Sequence, residues 1–388
     1  MLNNEFPPLG GGTGTVNRAI LQQLAQAQDL EIDLVTSALG RGSEQERFAE
    51  RIRILKVPVN SQNIHHSSNR ELLTFAARAL PAALRLQRAR SYDLCFSWSA
   101  VPAGGVALAL RRMTGLPYLV RVCGPDIPGF ERRYGPLYPI LSPSIRAIWR
   151  GASAVVAKCD GEADMIRAVD CGVDVSLVAN GVDSAAFQPA SIPDGGPLRL
   201  ICVARLIERK GQQHLVEAVR RLIAEGVAVT LDLVGTGDAH AALQAQAVAA
   251  GIAEYVHFSG YVPREAIAAR YSGAHVFVLP SYNEGMSVAT LEALAAGLPV
   301  VVTRTGGTAE LVAEGVNGLT FNWADVQSLV AHLRHLAADR GLARRMGMAS
   351  RARAELFSWE SAAECYLKMF DRIAAGASCG LPKTEVVL

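Results

Sequence analysis

Short apolar runs rich in β-branched residues alternate with longer amphipathic segments along most of the 388-residue chain. Such runs predict strands buried on both faces, and the amphipathic segments predict the helices between them. This alternation is typical of parallel sheets with right-handed crossovers. The predicted strands are residues 31–36, 51–58, 93–98, 118–124 and 152–158, followed by 198–204, 229–235, 256–260, 275–281 and 299–305.

The alternation is interrupted near residues 180–197, where an Asn-Gly turn precedes a stretch that contains Pro and Gly. We therefore predict an α/β protein of two doubly wound, Rossmann-like domains that face each other across a cleft. The predicted domains are residues 1–183 and 184–358. A last helix at 359–376 is expected to cross back to the first domain, and the tail 377–388 is expected to be loose.

The start of the chain departs from this scheme, because only three residues precede a polar, Pro-rich turn. The sequence predicts either a very short first strand or a chain start inside that strand. The glycine cluster at 10–14 then leads into a helix predicted at 15–28. Backbone amides around Gly11 and Gly12 could hold an anion there.

The composition of the chain disfavours several classes of protein. A net charge of +2 lacks the basic excess expected of a nucleic-acid-binding protein. The seven cysteines are scattered without a Cys-x-x-Cys pair, which disfavours a disulfide framework or zinc site and favours a reducing cytosol. No signal-peptide pattern is present, and no apolar run reaches the roughly 18 residues of a membrane span. We expect a cytoplasmic protein.

The stretch 280–302 carries the clearest chemistry. It predicts a helix in which Glu292 is the one ionisable residue among small and apolar side chains. A buried carboxylate is costly without a hydrogen-bond donor, and that donor could belong to a ligand. Glu284 lies in the loop just ahead, and the amides of Met286 and Ser287 are expected to point out of the helix N-terminus.

Two cations follow the first strand of the second domain. Arg205 directly follows this strand, and Lys210 lies just before the next helix, so both side chains could reach one anion. Gly235 follows the next strand in a tight turn. Such a site suits a diphosphate ester, whose departing charge these cations could stabilise without a metal. No Asp-x-Asp pair lies in a strand-end loop, so we predict no metal and no cofactor.

These residues resemble the signature of the retaining family 4 glycosyltransferases of the GT-B fold. Glu284 and Glu292 are separated by seven residues, as in that signature. Other landmarks resemble the family in the same order, over nearly the whole chain: GGGTG at 10–14, NGVD at 180–183, ARLIERKG at 204–211, LVGTGD at 233–238, GYVP at 260–263 and TGGTAELV at 305–312. The resemblance implies transfer of a sugar from a nucleoside diphosphate sugar with retention of configuration.

The resemblance also implies the role of each residue. The first domain would bind the acceptor and the second the nucleotide sugar. Arg205 and Lys210 would hold the diphosphate, Glu284 the sugar and Glu292 the ribose. The remaining donor-binding positions are Gly11, Gly12, Gly235, Tyr261, Val262, Gly285, Met286 and Ser287, with Tyr261 and Val262 near the base. The predicted catalytic residues are Glu284, Arg205, Lys210 and Asp126.

The chain departs from the family at one loop of the first domain. Many relatives carry His-Gly-x-Asp there, whereas this chain has Cys123-Gly124-Pro125-Asp126. A thiol is a weak hydrogen-bond partner compared with imidazole. Arg121 and Asp126 border the end of a predicted strand, which makes them the better candidates within an otherwise irregular segment at 121–150.

Two other functions fit the same frame, because fold alone does not fix a reaction. One is a sugar-nucleotide epimerase or a phosphorylase, and the other is a catalytically inactive nucleotide-sugar-binding protein. The expected acceptor is a glycan or a lipid-linked sugar. Six arginines of the first domain either contact an anionic membrane peripherally or form ordinary solvated helix faces: Arg78, Arg85, Arg88, Arg90, Arg111 and Arg112.

Overall fold

The computed structural model describes residues 1–61, 67–189 and 195–376. The predicted tail at 377–388 and part of the predicted 180–197 linker lie outside them. Contacts divide the chain into two compact units. The N-terminal unit holds Met1–Asn180 together with the helix Trp359–Ala374, and the C-terminal unit holds Gly181–Ser358.

The N-terminal unit contains strands in the orders β1-β3-β2 and β4-β5-β6-β7. Its strands are β1 Ile32–Ala38, β2 Glu44–Ala49, β3 Ile52–Pro58, β4 Cys95–Trp98, β5 Tyr118–Arg121, β6 Ala154–Ala157 and β7 Val175–Leu177. Its helices are α1 Gly12–Leu24, α2 Asn69–Arg90, α3 Gly105–Thr114, α4 Tyr138–Gly151 and α5 Asp160–Val169. Every pairing is parallel except that of β2 with β3.

A single residue takes the place of a full first strand. Leu2 bridges Val35 of β1 and Ser97 of β4, so it joins the two groups of strands. Its N–H donates to the Phe96 carbonyl and its carbonyl accepts from the Trp98 N–H, both at 2.9 Å. Both predicted alternatives, a very short first strand and a chain start inside that strand, agree with this bridge.

The C-terminal unit has one six-stranded parallel sheet in the order β10-β9-β8-β11-β12-β13. Its strands are β8 Leu198–Val203, β9 Val229–Val234, β10 Val256–Gly260, β11 Val276–Leu279, β12 Val300–Thr303 and β13 Gly318–Phe321. Its helices are α6 Gln212–Ala224, α7 His240–Ala249, α8 Arg264–Ser272, α9 Val288–Ala295, α10 Thr308–Leu311, α11 Val326–Ala338 and α12 Arg340–Ala354. The helix Trp359–Ala374 is α13.

Four elements differ from the expectations. Strand β2 was not predicted, because it is a mostly exposed edge strand without an apolar run. The segment 121–150, expected to be irregular, ends in helix α4, whose Pro139 lies in the first turn where proline costs no hydrogen bond. The short strands β7 and β13 were not predicted either.

Arg121 anchors helix α13 to the N-terminal sheet. Its side chain is 3% exposed and lies over the Trp98 ring at 4.8 Å. Its Nε donates to the Tyr366 hydroxyl at 2.8 Å, and its Nη2 donates to Asn180 Oδ1 at 2.5 Å. These contacts satisfy a buried guanidinium and explain why this border residue holds the unit together.

Candidate functional site

The loops after neighbouring strands β8 and β11 bring the predicted cations and carboxylate together. In a parallel sheet the carboxyl ends of adjacent strands meet at one edge, where ligands of this fold class bind. Lys210 Nζ forms an ion pair with Glu284 Oε1 across these loops. The two side chains are 13% and 16% exposed, so the pair is well shielded and still reachable from solvent.

Backbone contacts fix this pair in place. The Tyr282 N–H donates to the Arg209 carbonyl at 2.7 Å, and Arg209 Nη1 donates to the Asn283 carbonyl at 3.2 Å. Both bonds join the short turn before α6 to the loop before α9. These bonds fix the two loops relative to each other, and therefore also fix Lys210 relative to Glu284.

The charges of this cluster act on each other. Burial opposes ionisation of Glu284, but the positive charges of Lys210 and Arg209 outweigh it and hold the pKa of Glu284 below its ordinary value. Burial lowers the pKa of Lys210, and Arg209 and Arg205 act in the same direction while Glu284 opposes them. Arg205 thus belongs to the same field of positive charge, which attracts an anion.

Gly211 allows Lys210 to approach the loop before α9. Its φ is +72°, and an added Cβ would lie 2.0 Å from the Pro280 carbonyl oxygen. The same Cβ would lie 2.8 Å from the ring of Trp323, which itself contacts Tyr282 and His214. Only glycine fits such a close backbone approach.

Helix α9 begins at Val288, four residues after Glu284. Ser287 is the N-cap, and its hydroxyl accepts from the Thr290 N–H at 3.2 Å, which is a common way to begin a helix. Gly307 packs on this loop so tightly that an added Cβ would lie 1.9 Å from the Gly285 carbonyl oxygen. A cavity of about 20 Å³ is lined by Glu284, Gly285, Ser287 and Gly307, among others.

Glu292 is buried as predicted, with 6% exposure, and its donors come from helix α8. The Tyr271 hydroxyl lies 3.0 Å from Glu292 Oε2, and Arg264 Nη1 lies 3.4 Å from Oε1. Burial raises the pKa of Glu292, whereas Arg264 and Tyr271 act to lower it. The protein itself therefore supplies donors to this carboxylate.

Gly235 supports the Arg205 loop from the neighbouring strand. Its φ is +139°, and an added Cβ would lie 2.0 Å from the Ala204 carbonyl oxygen. Its N–H donates to the Gly260 carbonyl at 2.8 Å, which ties the ends of β9 and β10 together. Tyr261 and Val262 follow directly, and Tyr261 is 62% exposed.

Two family models match the chain and together cover most of its length. One is described as "Glycosyl transferase 4-like domain" and matches residues 11–181; the other, "Glycosyl transferases group 1", matches residues 183–353. The chain is a group 1 glycosyltransferase. It is of the family 4 type, so the resemblance stated from the motifs is confirmed, and so is the expectation of an enzyme.

This glycosyltransferase is similar to a GDP-mannose-dependent alpha-(1-6)-phosphatidylinositol monomannoside mannosyltransferase of Mycolicibacterium smegmatis. The two are 27% identical over 90% of this chain and 92% of the relative. Sucrose-phosphate synthase from Thermosynechococcus elongatus has a TM-score of 0.83 at 22% identity, covering 95% of this chain and 94% of that one. HepE from Anabaena, in complex with UDP and glucose, has a TM-score of 0.74 at 19% identity over 95% and 98%. These structures confirm the GT-B fold.

The remaining predicted site residues, Gly11, Gly12 and Asp126, lie in the N-terminal unit. Gly11 is the N-cap of α1, which begins at Gly12 rather than at the predicted residue 15. The Gly11 N–H lies 3.4 Å from Glu5 Oε2, so a carboxylate of the protein lies at this helix N-terminus. An added Cβ at Gly11 or Gly12 would meet no atom within 4 Å, which leaves the backbone there approachable.

Asp126 holds the turn that begins at Cys123. Its Oδ1 accepts from the Cys123 N–H at 2.8 Å, and its Oδ2 accepts from the Ala100 N–H at 2.6 Å. Burial raises the pKa of Asp126, and burial also raises the pKa of the Cys123 thiol to about 12. The thiol is therefore protonated at neutral pH. A catalytic role for Asp126 stays a prediction.

Three residues of the glycosyltransferase site were missed from sequence. Arg209 lies between two predicted residues, and its contact with Asn283 depends on a loop 74 positions away. Tyr271 and Arg264 precede Glu292 by 21 and 28 positions on a different helix. The single available signal was the buried carboxylate itself, which needs hydrogen-bond donors but does not indicate where they lie.

Among the residues that the structure describes, no helix has the length and apolarity to cross a membrane.

Proposed function

We propose that this glycosyltransferase transfers a sugar from a nucleoside diphosphate sugar to a glycan or lipid-linked acceptor, with retention of anomeric configuration and without a divalent metal. The observation that carries the proposal is the Lys210–Glu284 ion pair beside Arg205 at one edge of the C-terminal sheet. Cations fixed at this place can neutralise a diphosphate as it leaves. The donor class agrees with the names of the mannosyltransferase relative and the HepE complex.

The proposed reaction exchanges one bond at the anomeric carbon for another. The bond from this carbon to the diphosphate oxygen breaks, and the acceptor hydroxyl forms a new bond on the same face. The leaving diphosphate takes the proton of the acceptor hydroxyl. Arg205 and Lys210 stabilise the negative charge that develops on the diphosphate, which lowers the barrier without covalent participation of the protein.

The remaining residues would bind the donor. We assign Glu284 to the hydroxyls of the transferred sugar and Glu292 to the ribose, because carboxylates are strong acceptors for hydroxyl groups. The backbone amides of Met286 and Ser287, before helix α9, would support the phosphate and sugar. Further donor contacts are proposed for the backbone of Gly11, Gly12, Gly235, Gly285, Tyr261 and Val262.

A panel of nucleotide sugars tests this proposal. We expect release of a nucleoside diphosphate that increases with acceptor, unchanged rates in excess EDTA, and a product whose anomeric proton coupling matches that of the donor. The measurements are chromatography of the nucleotide and NMR of the product. A strict requirement for magnesium or manganese contradicts the metal-free step, and an inverted product contradicts retention. An isomerised sugar still attached to its nucleotide would instead indicate an epimerase.

We further propose that helix α2 of the N-terminal unit contacts an anionic membrane that carries the acceptor. Its outer face exposes Arg85 and Arg88 together with Leu73, which is 74% exposed. Basic residues near an anionic surface each contribute about 1 kcal/mol to binding.

Replacing Arg85 and Arg88 together with glutamate is expected to weaken binding to vesicles of anionic lipid by about tenfold or more. Co-sedimentation with these vesicles, and with zwitterionic vesicles, measures the effect. The control replaces the exposed Arg344 and Arg345 of α12 with glutamate, which makes the same change of net charge on the other unit. Equal loss in both double variants would contradict a docking surface on α2.

A further inference from the structure

The two oxygens of Glu292 have unlike surroundings. Oε2 faces the Tyr271 hydroxyl, which belongs to a fully buried ring and lies 3.0 Å away. Oε1 is contacted by Arg264 Nη1 at 3.4 Å, which is long for a bond between two charged groups. The Arg264 side chain is 42% exposed. One side of the carboxylate is therefore fixed by the core, and the other is held loosely by a group at the surface.

The position of Arg264 is unfavourable for the stability of its own helix. It is the first residue of α8, directly after the N-cap Pro263. A cation at a helix N-terminus opposes the helix dipole, so Arg264 does not stabilise its own helix. Within the described part of the chain, Glu292 is the one side chain with which it forms a hydrogen bond or ion pair, and a guanidinium carries five N–H donors. Most of its donor capacity is thus available to a ligand.

The position of Arg264 also restricts which part of a ligand it can meet. It follows Tyr261 and Val262 at the end of β10, where the base of the donor is proposed to lie. Any ribose hydroxyl that binds Glu292 Oε1 comes within a few ångström of Nη1, because Nη1 lies 3.4 Å from that oxygen. The diphosphate is proposed to lie elsewhere, at Arg205 and Lys210.

We propose that Arg264 is a nucleotide-binding residue that acts on the nucleoside portion of the donor. Its positive charge favours the ionised form of Glu292, and when ribose hydroxyls bind Oε1 its guanidinium donates to an oxygen of the nucleoside. This inference rests on the proposed donor class. In this proposal, Arg264 is the residue that couples binding of the ribose to recognition of the base.

The charged and titratable groups that act on Glu292 are few. Arg264 and Tyr271 of α8 face it directly, and Cys202 of β8 in turn acts on Tyr271. Burial already raises the pKa of Glu292, and Arg264 opposes that rise. Removing Arg264 therefore raises this pKa further. Nucleotide binding that needs an ionised Glu292 then begins to fail at a higher pH as the solution is acidified.

The test compares Arg264→Leu with Arg270→Leu in the full-length protein. Arg270 is a matched control, because it lies on the same helix, is 48% exposed and pairs with Asp232 at 3.8 Å. Isothermal titration with UDP, GDP, ADP and dTDP measures affinity, and inorganic pyrophosphate serves as a ligand without a nucleoside. We expect Arg264→Leu to bind the preferred nucleotide about tenfold more weakly and pyrophosphate as well as the wild type.

Further outcomes decide the matter. An upward shift in the pH at which Arg264→Leu loses affinity, absent in Arg270→Leu, supports the inference. Unchanged or tighter nucleotide binding by Arg264→Leu overturns it and identifies Arg264 as no more than a competitor for Glu292. An equal loss of pyrophosphate affinity also overturns it, because the effect would then act on the phosphates. If the wild-type protein binds pyrophosphate and none of the four nucleotides, the proposed function fails and this inference fails with it.

Discussion

Replacing Lys210 with alanine is expected to lower kcat/KM for the nucleotide sugar by about a hundredfold or more. The variant loses a cation proposed to stabilise the leaving diphosphate, and loss of one such electrostatic group typically costs this much. It also removes a positive charge that keeps the pKa of Glu284 low, so the carboxylate becomes easier to protonate. Steady-state kinetics and titration with the nucleoside diphosphate measure both consequences.

Two variants make this result specific. Glu284→Gln keeps Lys210 and nearly the same shape, so we expect lower kcat/KM while the affinity for the nucleoside diphosphate stays near that of the wild type. Arg334→Ala removes another ion pair of the same unit, with Glu225 at 2.7 Å, and is expected to leave the kinetics unchanged. Wild-type kinetics in Lys210→Ala, with intact folding, would mean that the diphosphate does not bind at this edge.

Replacing Gly307 with alanine is expected to lower both activity and stability. The new Cβ would lie 1.9 Å from the Gly285 carbonyl oxygen, so one of the two backbones must move. Overpacking of this kind costs about 1–3 kcal/mol of unfolding free energy. Gly285 is adjacent to Glu284, and a displacement of about 1 Å in a catalytic site can cost about a hundredfold in rate.

Thermal unfolding and kcat/KM measure the two effects separately. The matched control is Gly273→Ala in the same unit, where the nearest atom to the new Cβ would be the Arg270 carbonyl oxygen at 3.5 Å. That substitution is expected to be neutral in both measurements, because ordinary contact distance and a φ of −82° suit alanine. A Gly307→Ala enzyme with wild-type kcat/KM would show that the Gly285 backbone does not position Glu284.

Much of the fold could be predicted because its buried parallel strands are continuous apolar runs. Strand β10 was predicted at its exact bounds. Elements without such a run were missed, as β2 shows: its side chains are mostly exposed, and its position depends on pairing with β3. The sequence showed that few residues precede the first turn, but the pairing of Leu2 with β1 and β4 depends on contacts far along the chain.

By itself, the sequence determined that Arg205, Lys210 and Glu284 follow parallel strands of one sheet, because the carboxyl ends of such strands lie at the same edge. It also determined that Glu292 is buried, since a helix of small and apolar residues has no polar face to expose. Only the tertiary structure decided which donors meet that carboxylate. Arg264 and Tyr271 reach Glu292 from another helix, and the packing of two helices depends on every side chain between them, which no local pattern encodes.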